Sequence, residues 1–425
     1  MPILNNKEVI VIIDAWSGSK YLFPAFQALG YFCLHIQSAF LPAVFIRDNQ
    51  LASIRSDRHI VYDGDIEALL RELQPYAIKA ILAGIDGAVP LVDQLNAALE
   101  LPFSNSIELS TARRNKFLMQ EQLACHHVAS VKQSLITHHN ELLFWLKNHD
   151  CWPVVLKPVQ SAGTDGVFIC HDIQQAEQAF AAIKSKNDLF GNQNHEVLCQ
   201  EFLEGEEFVV NGIACQGQYL FTDLWQSKKK QHKNFPVYET QYLYYQNDEN
   251  FDTLTGYTIQ VCQALGIENG AFHAEVMMTP RGPVLIEIGA RVAGGADPYI
   301  IEKCLGHSQI SKLVQAVLYP VRFLQEIHQP RDFLDHKRAA YVYMISPTKG
   351  KVQTSPEEQF IKIEGVISVN YRHSPGDIQQ ETNDLLSSPG VVIAISNDSV
   401  SLNQVIAEIR STESDFYHSG LTVIE

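Results

Sequence analysis

The stretch Phe272-His273-Ala274-Glu275-Val276-Met277-Met278, followed beyond the spacer Thr279-Pro280-Arg281-Gly282 by Leu285-Ile286-Glu287-Ile288-Gly289-Ala290-Arg291, decides how this chain is read. The spacer predicts a tight hairpin turn. Residues i and i+2 share a strand face. His273 and Glu275 therefore point one way, with Phe272, Ala274 and Val276 opposite. Across the turn Glu287 and Arg291 share a face, with Ile286 and Ile288 behind. Two carboxylates thus stand on otherwise apolar strands. Burying such charges is costly unless they are paired or bind a metal. Paired strand carboxylates with an arginine suit Mg²⁺ and phosphate chemistry.

The chain around this hairpin has 425 residues, which predicts two to four domains. Its net charge of −16 argues against a nucleic-acid backbone as partner. Eight cysteines are scattered without a CxxC pair and read as reduced, mostly buried thiols. The apolar run Val9 to Ile13 is too short for a signal peptide and stops at Asp14. No apolar window reaches the roughly 18 residues of a membrane span. The expected location is the cytoplasm, with no membrane partner.

Towards the N-terminus, Val9–Ile13, a loop to Ser19 with Gly18 at the turn, a helix over Tyr21–Leu29 and a strand over Tyr31–Ile36 form a βαβ opening. Ala77–Ala83 reads as another buried strand, followed by Gly84-Ile85-Asp86-Gly87 and a helix around Leu91–Leu99. Residues 1–105 therefore read as a small doubly wound domain. Its first loop lacks GxGxxG, which argues against an NAD site of that type. Ser110–Ala124 reads as a helix capped at Ser110. The polar, basic stretch Gln226–Asn234 reads as a surface loop. Gln325–Lys337 reads as a linker, and residues 338–425 as short strands with one helix near Leu402–Ile409.

Three further stretches carry chemistry. Trp152–Pro158 is a strand bearing Lys157, and the small-residue loop from Val159 to Gly166 follows it. Backbone N–H groups of such a loop can cradle phosphate, with Ser161 and Thr164 adding hydroxyls and Lys157 a point charge. No GxxxxGK[ST] loop occurs. Cys199–Val210 crowds acids around Gly205, which alone is an ordinary solvated turn. Lys116 alone is an ordinary helix lysine.

Their order is informative. A lysine helix, a lysine strand with a small-residue loop, an acidic hinge and a Glu/Glu–Arg hairpin together resemble the ATP-grasp superfamily along the whole chain. The resemblance implies an α/β chain. Residues 1–105 would form the doubly wound pre-grasp domain. Residues 106–205 and 206–322 would form the two lobes of an α+β ATP-grasp domain, and residues 338–425 a small α+β C-terminal lobe. Lys116 and Lys157 match the lysines that contact ATP phosphates. Ser161, Gly163 and Thr164 lie in the loop that closes over them. Glu201 and Leu203 match the adenine-reading hinge, and Glu207 the acid on the ribose hydroxyls. Glu275 and Glu287 match the Mg²⁺ ligands, for which Mn²⁺ can stand in. Arg291 matches the arginine that holds the acyl phosphate or acceptor carboxylate. His273 is a candidate for positioning or acid–base work. Gly289 departs from the pattern, since many members carry Asn there as a further metal ligand.

The segment Leu285–Gly295, with Asp14, Gly18, Tyr21 and Leu22, looks most like the L-amino-acid ligases. The implied activity is ATP-dependent amide formation through an acyl phosphate, releasing ADP and phosphate. The implied partners are a small-molecule carboxylate and amine, and a homodimer is the family expectation. A carboxylase-like or purine-biosynthetic enzyme, and a non-catalytic ATP-binding protein, stay open as alternatives.

Overall fold

The computed structural model describes residues 7–38, 54–149, 151–159, 166–187, 193–232, 235–295, 297–327, 329 and 337–424. Its N-terminal sheet is parallel, from β1 (Glu8–Ile13), β2 (Phe32–Ser38), β3 (Arg58–Tyr62) and β4 (Ala77–Ala83), in the order β3-β2-β1-β4. The run Val9–Ile13 lies wholly buried because both faces of β1 are covered. Val9, Val11 and Ile13 pack under the sheet's own helices, including Ile66–Leu73 and Val89–Ala98. Ile10 and Ile12 pack with Phe23 and Phe26 and with Ile310, Leu313 and Val314 of helix Gln309–Leu318. A helix from far down the chain thus completes the second face of this sheet.

An antiparallel sheet follows, from β5 (Gln133–Ile136), β6 (Val154–Pro158), β7 (Phe168–Cys170) and β8 (Val197–Glu201), ordered β5-β8-β6-β7. The helices His139–Asn148 and Ile173–Lys184 cover it. The remaining strands are β9 (Glu206–Cys215), β10 (Gln218–His232), β11 (Phe235–Tyr244), β12 (Gly270–Thr279), β13 (Gly282–Gly289), β14 (Arg338–Tyr343), β15 (Gly350–Val352), β16 (Val366–Tyr371), β17 (Ile378–Gln379), β18 (Gly390–Ser396) and β19 (Leu421–Val423). Eight of them form one sheet, β13-β12-β9-β10-β11-β14-β18-β16. The expected C-terminal lobe therefore shares a sheet with the preceding lobe, through β11–β14 pairing. Among the described residues, no helix is long and apolar enough to cross a membrane.

Three local readings are corrected. Gln226–His232 is the end of β10, not a loop; it pairs with β11. Its polarity hid the strand, because Lys228 and Lys229 lie over the rings of Tyr242 and Tyr238 at 5.0 and 4.3 Å. The helix expected from Ser110 starts at Lys116, where Asn115 accepts from the N–H groups of Phe117 and Leu118. Ser110 instead donates to buried Asp93 at 2.6 Å. Finally, a bulge between Glu275 and Val276 alters the hairpin register. Ile286 turns towards the cleft rather than behind it, while Leu285 and Ile288 join the core.

The Asn115 cap carries a modest prediction. Asn115→Ala should cost about 1 kcal/mol of stability in denaturant unfolding.

Candidate active site

A cavity of about 480 Å³ separates β6–β8 from β9–β13. Its lining includes Lys116, Lys157, Glu201, Leu203, Glu207, Glu275 and Glu287, drawn from across the chain. Ser161, Gly163 and Thr164 lie outside the described residues.

The carboxylate pair is set by register. Glu275 and Glu287 stand directly opposite each other across β12 and β13. Phe272, Ala274 and Val276 fill the core behind them, as the alternation requires. Lys116 Nζ lies 2.6 Å from Glu287 Oε2. Burial pushes the Glu287 carboxyl up, but the charge and hydrogen bond of Lys116 outweigh it, so the net direction is down. Glu275 accepts no hydrogen bond among the described residues; His273 Nε2 lies 3.8 Å from its Oε1. Lys116 also sits at a helix N-terminus, where the backbone favours anions over cations.

Lys157 is 6% exposed and makes no ion pair or hydrogen bond among the described residues. Burial, then the nearby Lys116, lower its pKa to about 8, with Glu287 and Glu275 pulling the other way. A buried ammonium held only by distant charges suits an incoming anion. The hinge is braced from the hairpin turn: Arg281 grips both oxygens of Glu201, whose Oε1 also accepts from Lys132 N at 2.8 Å. Glu207 has both oxygens engaged, by Lys229 Nζ at 2.6 Å and by the Tyr238 hydroxyl at 2.7 Å. Burial and then the Glu207 charge raise the Tyr238 phenol well above its usual range.

Arg291 is turned onto Asp86, at the C-terminal end of β4. Its Nε and Nη2 both donate to Asp86 Oδ2, at 3.0 and 2.7 Å, and Nη1 donates to Val292 O. Five guanidinium N–H groups less these three leave two for a substrate. Burial raises the Asp86 carboxyl, but Arg291 more than offsets this, with help from Arg114 and His273, and it falls to about 2. Gly289 follows from the same contact. A Cβ there would stand 2.2 Å from Asp86 Oδ1. Gly18 is likewise required for close approach rather than for its turn, since its Cβ would meet Ala293 O at 2.2 Å. The β1 and β4 loops thus clasp the segment after Glu287, at the crevice where a doubly wound sheet changes winding direction.

Local sequence reading missed Asp86 and Tyr238, and placed Lys229 on a surface loop rather than on a strand. An acid at the end of a parallel strand, Gly84-Ile85-Asp86-Gly87, was the available signal for the first. The run Lys228–Lys230 on β10, followed by Tyr238 and Tyr242 at strand spacing on β11, was the signal for the others.

Residues 151–298 match the ATP-grasp domain family. The chain is 74% identical to dapdiamide A synthase of Enterobacter agglomerans over 421 residues, covering 99% of both chains. It belongs to the ATP-grasp ligases. It is also 23% identical, over 54% of each chain, to an L-arginine-specific L-amino acid ligase of Bacillus subtilis. The crystal structure of an L-amino acid ligase from Bacillus licheniformis superposes with a TM-score of 0.73 at 17% identity, covering 96% of this chain and 98% of that one. This ATP-grasp ligase is therefore an ATP-dependent enzyme that joins a carboxylate to an amine through a C–N bond.

Proposed function

We propose that this ligase couples two amino-acid-like substrates into a dapdiamide-type amide, the product class for which its 74% identical relative is named. The observation that carries the reading is the opposed pair Glu275 and Glu287 facing Lys116 and Lys157 over one cavity. The substrate carboxylate attacks the γ-phosphate of ATP, giving an acyl phosphate and ADP. The amine then attacks the acyl carbon and releases phosphate. Lys116 and Lys157 neutralise phosphate oxygens, and the two free N–H groups of Arg291 hold the acyl phosphate or the acceptor carboxylate. Glu201 and Leu203 frame the adenine edge, and Glu207 takes the ribose hydroxyls by exchanging Lys229 or Tyr238. Residues 1–105, 106–205, 206–322 and 338–425 are the working parts.

Glu275 and Glu287 fit Mg²⁺: both are hard oxygen donors on one face, and a cation already stands on Glu287. Among the described residues no three metal-ligating side chains converge, so phosphate and water oxygens would complete the shell. When bound, Mg²⁺ supplies charge neutralisation at the transferring phosphoryl group.

Two measurements test this reading. Phosphate release from ATP, across a panel of amino-acid pairs, should appear with at least one pair. Failure with every pair despite ATP binding would sink it. ATP affinity should also depend on pH through Lys157. The charged lysine binds triphosphate, and its pKa of about 8 lies below the ordinary value. Affinity should therefore hold below pH 8 and fall as pH rises through it, by up to about tenfold per unit. Lys157→Met should bind more weakly and lose that dependence in calorimetric titrations.

A further inference from the structure

A row of buried polar side chains leads from β10 through β9 to β12 and ends beside the carboxylate pair. Register puts Asp223 opposite Asn211, and Asn211 opposite His273. Asp223 is 3% exposed and Asn211 is 1% exposed. Asp223 has no ion pair among the described residues; three hydrogen bonds hold it. Trp225 Nε1 donates to Oδ2 at 2.7 Å, Asn211 Nδ2 donates to the same oxygen at 2.6 Å, and Thr222 Oγ1 donates to Oδ1 at 2.8 Å. Asn211 Oδ1 lies 2.8 Å from His273 Nδ1.

This row fixes a hydrogen atom. An indole N–H only donates, so Asp223 Oδ2 is an acceptor. The Asn211 group facing it is therefore the NH₂, which turns the amide oxygen towards His273. An amide oxygen only accepts, so His273 Nδ1 carries the hydrogen. In the neutral ring the lone pair is then on Nε2. Nε2 stands 3.8 Å from Glu275 Oε1, and no donor among the described residues reaches either atom. Two acceptors bordering one space call for a donor between them. Mg²⁺ prefers oxygen to imidazole nitrogen, whereas an amine N–H suits both acceptors.

We propose that Asp223 and Asn211 are positioning residues that hold His273 as the Nδ1–H tautomer, so that Nε2 accepts a hydrogen bond from the amine substrate as it approaches the activated carboxyl. This rests on the ligase reading above. It also separates the two substrates in space: the phosphates lie on the Lys116 and Lys157 side, and the amine on the His273 side, next to Arg291 and Asp86.

Long-range ¹H–¹⁵N correlation spectra of histidine-labelled protein, recorded at alkaline pH where imidazoles are neutral, test the tautomer. His273 should show the Nδ1–H pattern, assigned by its loss in His273→Gln. Asn211→Ala should move the ring towards Nε2–H and raise KM for the amine roughly three- to tenfold, the size of one hydrogen bond, with KM for ATP unchanged. Asp223→Ala frees the Asn211 amide to turn over and should shift both readouts the same way. An Nε2–H pattern in the wild type overturns the proposal, and needs no variant to fold. So does a switched ring with unchanged amine KM. Glu287→Gln keeps the two levels apart. If that variant retains turnover, the metal assignment of Glu287 fails, while the wild-type histidine spectrum still reports the tautomer on its own.

Discussion

Glu287→Gln should lower kcat for ATP-dependent phosphate release by roughly 10²–10³-fold, the range seen when one preorganised charge-stabilising group is lost. Two effects combine. The variant removes half of the Glu275/Glu287 pair, and it leaves Lys116 without the carboxylate that lies 2.6 Å from its Nζ. The substitution keeps size and shape, so the core behind it, Leu285 and Ile288 with Phe272 and Val276, should stay packed. ADP should therefore still raise the unfolding temperature. Steady-state phosphate release and a ligand-dependent melt together decide the matter. Unchanged turnover in a folded variant would remove Glu287 from the metal assignment.

That prediction rests on a hairpin in which the face of β12 and the placement of Glu287 were legible from alternation, although the side taken by Ile286 was not. Polar side chains at His273, Glu275 and Glu287 on otherwise apolar strands announce a cleft because burial forces a pattern of period two. The parallel strand Val9–Ile13, and the Ala80–Leu82 centre of β4, were legible for the related reason that continuous apolar runs mark strands covered on both faces. What resisted reading depends on partners distant in sequence. The end of β10 looked like a loop because its lysines rest on aromatic rings of the neighbouring strand. The bulge that exposes Ile286 is a property of pairing, not of either strand alone. Arg291 stood out on the face of the hairpin, but its partner Asp86 stands 205 positions away. Gly289 looked like a missing ligand for the same reason. Nothing local says that another domain's carboxylate occupies the space its side chain would take.

The clasp between domains carries the second large effect. Asp86→Ala should strand the Arg291 guanidinium, whose side chain is 14% exposed. Removing one partner of this part-buried pair, 14% and 23% exposed, should cost about 1–3 kcal/mol. Turnover should drop as well, by about 10²-fold, because an arginine displaced by 1 Å no longer meets the developing charge. Gly289→Ala should reproduce much of this without touching either charge. Its methyl group would stand 2.2 Å from Asp86 Oδ1, and Asp86 can yield only by letting go of Arg291, which holds its other oxygen through two hydrogen bonds. The two substitutions should therefore be strongly non-additive. In Asp86→Ala/Gly289→Ala the clash has no partner, and the double variant should be no worse than Asp86→Ala alone. A double-mutant cycle on both unfolding free energy and kcat/KM measures this directly. Simple additivity would mean that Gly289 is needed for some reason other than the approach of Asp86, and the account of the departure at position 289 would fail with it.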